Sequence, residues 1–245
     1  MTLTEPSPTA WAPTWRTRGA FWWILLSAVA VAVYAPLPYA LNSLVDLTAN
    51  GEPLAANYAE RSAGIRSAFY LHISFGGLAL LLSPFQFATR LRNRAPHLHR
   101  AIGRTILGSI AIAGVGGLNL APHSLAGPVG TVGFGLLAVL WLVFAATAFR
   151  AIRRRDVDTH RRWMIRTFAL TYAAVTLRLW LFVLMAGQVD LAGVDAQTAF
   201  ERAYLVVPFL AWVPNLLVAE RYLATRAPAQ RTRVRLIRRR RANRL

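Results

Sequence analysis

The fold class predicted is all-α: a polytopic membrane protein of six transmembrane helices, bundled, with both termini cytoplasmic. Three features predict it. Of 245 residues, 56% are hydrophobic and only 16% charged, and the apolar residues gather into long runs instead of amphipathic stripes. A bilayer core about 30 Å thick takes about 20 helical residues per crossing, so a chain of this length holds roughly six crossings and no separate soluble domain. The third feature is the placement of the basic residues, all of which are Arg.

The apolar segments run from about Ala20 to Leu41, Ile65 to Thr89, Ile102 to Ala121, Val129 to Phe149, Trp163 to Ala186 and Tyr204 to Tyr222. They define a transmembrane domain over 20–223. The first is too long for a signal-peptide core and lacks a convincing small-residue cleavage site, so it reads as a retained helix. Pro36 and Pro38 in the first segment and Pro208 and Pro214 in the last predict kinks, which a membrane helix tolerates where neighbours satisfy the freed backbone groups. The third segment is rich in small residues (Gly108, Ser109, Ala111, Ala113, Gly114, Gly116, Gly117). Small side chains let helices approach closely in lipid, which places this helix centrally. Residues 1–19 are rich in Pro, Ser and Thr and predict a disordered cytoplasmic segment, with Trp11, Trp15, Trp22 and Trp23 available to the membrane interface. Residues 224–245 form a basic cytoplasmic tail.

Arg near helix ends stays cytoplasmic during insertion. Twenty-four of the 28 Arg fall in the N-terminal segment, the second-to-third and fourth-to-fifth connections and the tail, while Arg61, Arg66 and Arg202 fall on the other side. That outer side carries Asp46, Glu52, Glu60, Asp190, Asp195 and Glu201, and its first and third loops read as the long ones. The net charge of +18 therefore serves orientation and the lipid surface, and nucleic acid is not an expected partner. Arg-only usage accompanies high-GC bacterial genomes, which places the chain in a bacterial inner membrane as a multi-pass protein.

No cysteine is present, which removes disulfides, thiolate metal sites, iron–sulfur clusters and covalent haem attachment. Neither a phosphate-cradling glycine loop, a nucleophile elbow nor an HExxH motif occurs, so hydrolase and kinase chemistry drop out. Histidine carries what remains. His72 lies inside the second helix and His123 follows the third, both toward the outer face, while His99 and His160 open helices three and five at the cytoplasmic face. His97 reads as a solvated interface residue. Two imidazoles at each face allow a bis-histidine site, His72 with His123 and His99 with His160, and haem b is the cofactor that such pairs suit. Gly76 and Gly103 each follow a histidine by four residues and offer a side-chain-free face for a flat ring. The plainer alternatives are headgroup contact for His99 and His160, with Asp158 as an N-cap, and one hydrogen bond from His72 to Tyr70, Asn119 or a backbone carbonyl. Zinc at His72 and His123 with Glu201 or Asp190 is also permitted.

Arg178, in the middle of the fifth segment, is the costliest residue to place in lipid, about 2.5 to 3.5 kcal/mol at a helix centre. It calls for a partner, a haem propionate, an anionic substrate, or Asp190 or Glu201; the plainer alternative is that it snorkels to the outer surface. Eighteen residues separate it from His160, about 27 Å of helix, which brings it to the depth of His72. Gln86, Asn119, Tyr172 and Asn215 read as helix cross-links.

The stretch from Tyr70 to Leu184 carries His72, Leu98-His99-Arg100 with Gly103-Arg104, Asp158 with His160-Arg161, Trp163-Met164-Ile165-Arg166 and Leu177-Arg178-Leu179. With these residues it resembles the bacterial membrane family catalogued as domain of unknown function 2306. The resemblance implies the architecture and singles out His72, His99, His160 and Arg178. More distantly the chain is similar to ascorbate-dependent two-haem cytochrome b and ferric-reductase-like membrane proteins, whose ligands fall on four consecutive helices. That similarity implies an outer haem on His72 and His123, an inner haem on His99 and His160, and a quinone or other redox partner. Here His123 sits in a Pro- and Gly-rich turn, departing from that pattern. A cofactor-free transporter of a small molecule or proton, or a non-catalytic membrane subunit, is the alternative.

Reporter fusions test the orientation. One placed after residue 245 or within 150–162 is expected to stay cytoplasmic, and one within 187–203 to be exported. A cytoplasmic signal from 187–203 overturns the six-helix topology.

Overall fold

Lipid offers the backbone no hydrogen bonds, so each apolar segment must close its own ladder as a helix. The computed structural model, which describes residues 15–225, has six helical stretches long and apolar enough to cross a membrane: Gly19–Leu41, Ala63–Phe87, Pro96–His123, Gly127–Arg153, Val157–Ala192 and Ala196–Thr225. Among the described residues no strand occurs. The first span joins α1 (Trp15–Tyr34) to α2 (Leu37–Leu41), and α3 (Leu44–Ala49) and α4 (Pro53–Ala59) follow outside it. The second span is α5 (Ala63–Leu82) with a closing 3-10 turn, and α6 (Thr89–Arg94) leads to α7 (Pro96–Leu120), the third. The fourth is α8 (Gly127–Arg153), the fifth joins α9 (Val157–Thr171) to α10 (Ala173–Ala192), and the sixth joins α11 (Ala196–Leu210) to α12, residues 213–225.

An even number of crossings brings both chain ends to one end of the bundle, the tail end, opposite a cap end formed by residues 42–62. Helix reaches back to Trp15, into the segment expected to be disordered. The rest of that segment, with Trp11, and the sequence RTRVRLIRRRRANRL lie outside the described residues.

The connections expected on the outer side differ from expectation. Residues 42–62 fold instead of looping: Leu44 and Leu47 of α3 and Ala55 and Tyr58 of α4 bury against Ala68, Phe69 and Leu120, and Asn57 donates to the carbonyl of His123 at 2.7 Å. The third outer connection shrinks to 193–195, because Gly193 adopts φ +64° to close α10 and Asp195 caps α11 by accepting from the Thr198 amide at 2.9 Å. Asp156, not Asp158, caps α9, accepting from the Thr159 amide at 3.0 Å. Those amide donors hold the Asp156 and Asp195 carboxyls below the usual carboxylate range.

Two spans break inside the bilayer, and the breaks are tied together. The fifth is interrupted at Tyr172 and the sixth at 211–212, just past Pro208. Asn215 donates to the carbonyls of Ala169 and Ala211, each at 3.2 Å, and to Thr176 Oγ1 at 3.0 Å. Thr176 donates to the Ala211 carbonyl at 2.5 Å. Tyr172 bonds Ser27 of the first span at 2.7 Å, and the buried Trp141 indole donates to Thr171 at 2.9 Å. Asn215 is thus the helix cross-link its neighbour Pro214 requires. Nearer the tail end, Arg166 grips Glu220 through two bonds of 2.5 and 2.8 Å and lies over the Trp163 ring.

Small residues set the remaining distances. The central helix is α7, as its glycines predict, and it packs most closely on α5. A Cβ on Gly116 would stand 2.9 Å from the carbonyl oxygen of Ala68. A Cβ on Gly133 of α8 would stand 2.6 Å from Pro208 Cβ and 3.1 Å from its carbonyl, whereas one on Gly114 meets only the end of the Leu142 side chain, at 2.6 Å. Gly133→Ala is therefore expected to cost about 1 to 3 kcal/mol, the usual penalty of overpacking against something rigid. Gly114→Ala should cost less, because Leu142 can turn away. Thermal-unfolding midpoints of the two variants in one detergent check the order, and equal midpoints would contradict it.

Candidate functional site

The tail-end histidines sit where two helices begin. His99 lies in the first turn of α7 and His160 in the first turn of α9. Both rings are half-buried, and Arg92 and His160 are near enough for their charge to act on His99. His160 bonds through Nδ1 to the carbonyl of Ala148 in α8 at 2.9 Å. That oxygen can only accept, so Nδ1 carries the proton and Nε2 presents a lone pair. His99 Nδ1 is buried without a hydrogen-bond partner, a state shared among the described residues only with Trp212 Nε1. Gln86 steadies the turn by donating to the His99 carbonyl at 3.2 Å. His97, two residues earlier, accepts from Arg100 at 3.0 Å on the exposed face.

At the cap end His72 repeats the arrangement. Its Nδ1 bonds the carbonyl of Ala113 on α7 at 2.8 Å, the backbone partner among the sequence alternatives, and Nε2 is left as an acceptor. The ring lies over Gly117, where a Cβ would stand 3.1 Å from Nδ1. Arg178 is near enough to act on the charge of His72 and is itself bordered by Tyr39 and Tyr204. Its Nη1 donates to the carbonyl of Ala174, one turn back on its own helix, at 2.7 Å. Neither Asp190 nor Glu201 neutralises it: Glu201 accepts from Gln197 at 2.8 Å, and among the described residues the one ion pair is Arg166 with Glu220.

Sequence-predicted neighbours are thus partly brought together. His160 lies within electrostatic range of His99 and Arg178 within that of His72, and no hydrogen bond joins either pair. His123 ends a 3-10 turn six residues past Gly117, about 9 Å farther along the span, and no hydrogen bond joins it to His72. Asn119 turns back to the carbonyl of Val115 at 2.8 Å and lines an open groove between α5 and α7, away from His72. The side-chain-free faces are occupied by protein: Gly76 faces Ala113 and Gly103 faces Gln86. Among the described residues no three of His, Asp and Glu gather as a metal centre would need, so His72 and His123 have no carboxylate with them.

Tyr39 and Tyr204 escaped the sequence reading, since tyrosines at the ends of apolar runs pass for interfacial anchors. Both are held by rings. Tyr39 packs edge-on to Phe69 at 5.1 Å and donates to Glu52 at 2.8 Å, while Tyr204 stacks on Phe200 at 5.1 Å and leans on Phe134. The signal that pointed to them was Arg178 itself, a cation within an apolar span, whose side chain stays exposed at the helix surface.

No curated protein and no solved structure matches this chain. The model of the family described as predicted membrane protein DUF2306 matches residues 69–223, which takes in spans two to six with His72, His99, His160 and Arg178. With well over half of its length matched, the chain belongs to that family of membrane proteins.

Proposed function

We propose that this integral membrane protein carries electrons in the bacterial inner membrane through a haem b held at the tail end by His99 and His160. What supports the proposal is that His99 and His160, from spans three and five, lie within electrostatic range at one end of the bundle, each with a ring nitrogen unspent. His99 and His160 would hold the haem, which would supply a one-electron couple suited to electron transfer and not to oxygen chemistry.

The chain's own groups prepare the pair. The Ala148 carbonyl fixes the tautomer and orientation of His160 and raises the basicity of its free nitrogen, as outer partners of ligating histidines do. Gln86 anchors the turn that carries His99. Arg92 places positive charge near His99, which favours the two carboxylates of a haem. A quinone or a protein redox partner completes the exchange. One haem is proposed, because His72 and His123 stand at different depths.

Reduced-minus-oxidised visible spectra of the full chain, made with ample haem, test this. His99→Ala and His160→Ala are expected each to abolish the same component, and the double variant to lose no more than either, since both serve one iron. His97→Ala should leave the spectrum unchanged. Wild-type protein without haem absorbance overturns the proposal.

A further inference from the structure

Two open grooves adjoin at the cap end of α5. The larger, about 490 Å³, lies between α5 and α7, with Gly64 to Leu71 on one wall and Asn119 to Ala111 on the other, so it descends about 10 to 12 Å along the two helices. Ala68 and Gly116, which set the close approach of α5 and α7, form its floor, and Leu71, Ile112 and Val115 stand exposed along it. The smaller, about 370 Å³, lies between α5 and α3 and carries Ser43, Arg66 and Tyr70 among apolar residues. Ser67 lines both, so one small side chain is all that divides them.

The first groove offers hydrocarbon a bed, and the second offers an anion a cation. Arg66 is exposed, and the one ion pair among the described residues is Arg166 with Glu220. Ser43 is spent on Asp46, to which it donates at 2.6 Å, and no Asp or Glu lines either groove. We infer that the two grooves hold one anionic phospholipid of the leaflet at the cap end, with its phosphate on Arg66 and an acyl chain in the groove between α5 and α7. Long side chains lean toward the N-terminus of their helix, and α5 begins at the cap end, so Arg66 in its second turn reaches back toward headgroup level. A guanidinium meets phosphate oxygens with paired donors, and the hydroxyls of Ser67 and Tyr70 add two more. A chain lying on Ala68 and Gly116 recovers the dispersion contacts that an open groove forfeits. A second copy of this chain placed groove to groove would bring Arg66 no counter-charge, whereas an anionic lipid supplies one.

Native mass spectrometry of the full chain in detergent, titrated with dioleoylphosphatidylglycerol, tests this. We expect one lipid per chain to be held more tightly than the rest. Arg66→Gln should weaken it about tenfold or more, the value of a charge-assisted hydrogen bond. Ala111→Phe, which fills the groove from an exposed position, should weaken it to a similar extent. Arg202→Gln, which removes one exposed charge from α11 at the same end, should leave it unchanged. Dioleoylphosphatidylcholine, neutral overall, should bind about tenfold more weakly, and glycerol 3-phosphate, a headgroup without chains, should not displace the lipid. Unchanged affinity in either Arg66→Gln or Ala111→Phe, an equal loss in Arg202→Gln, equal binding of the neutral lipid, or displacement by glycerol 3-phosphate overturns the inference. So does a dimer that Ala111→Phe splits, which assigns the groove to a second copy. If Ala111→Phe does not fold, Arg66→Gln decides alone. The grooves lie at the opposite end of the bundle from His99 and His160, so His99→Ala should bind the lipid normally, and failure here and failure of the haem proposal are told apart.

Discussion

A helix interrupted within lipid must find other partners for the backbone groups it frees, and nearly everything specific about this bundle follows from how that debt is met in its last two spans. The fifth opens at Tyr172 and the sixth at 211–212. Asn215 and Thr176 reach the carbonyls of Ala169 and Ala211 and close both gaps with one set of bonds. Neither break would be tolerable alone. Two residues past Thr176 on α10 comes Arg178, exposed at the helix surface and within electrostatic range of Tyr39, Tyr204 and His72.

The two ends of the molecule then use one device for different purposes. His72 and His160 each spend Nδ1 on a backbone carbonyl of the adjacent span, Ala113 or Ala148. A helix carbonyl already engaged in its own ladder keeps a second lone pair, so the bond orients an imidazole without opening the helix that provides it. At the tail end the oriented ring stands beside a second histidine. At the cap end it stands beside a cation. What distinguishes the sites is therefore the neighbour and not the histidine.

Spans, proline kinks and the central place of α7 were legible because each rests on composition or on the period of a single helix. His72 drew notice because a polar group at that depth is costly, whereas Arg178, costly for the same reason, stands exposed on its helix. The break at Tyr172 was not. It carries no proline or glycine, and its cause lies in Asn215, 43 residues later. The folding of residues 42–62 also depends on a distant surface, the Phe69 and Leu120 face that α3 and α4 cover. Gly76 and Gly103 show the limit from the other side: a missing side chain is visible in a sequence, but whether protein or a ligand takes the space is decided by a helix elsewhere in the chain. The same holds for His123, whose depth is set by where α7 ends.

Grouped by their bonds, the last two spans are not two long rods but two short hairpins stacked end on end. One, of α9 and α12, is clamped by Arg166 and Glu220; the other, of α10 and α11, closes through Gly193 and Asp195. Asn215 is the pin between them. The last two spans are therefore divided into an upper and a lower pair of helices that share one hydrogen-bonded seam.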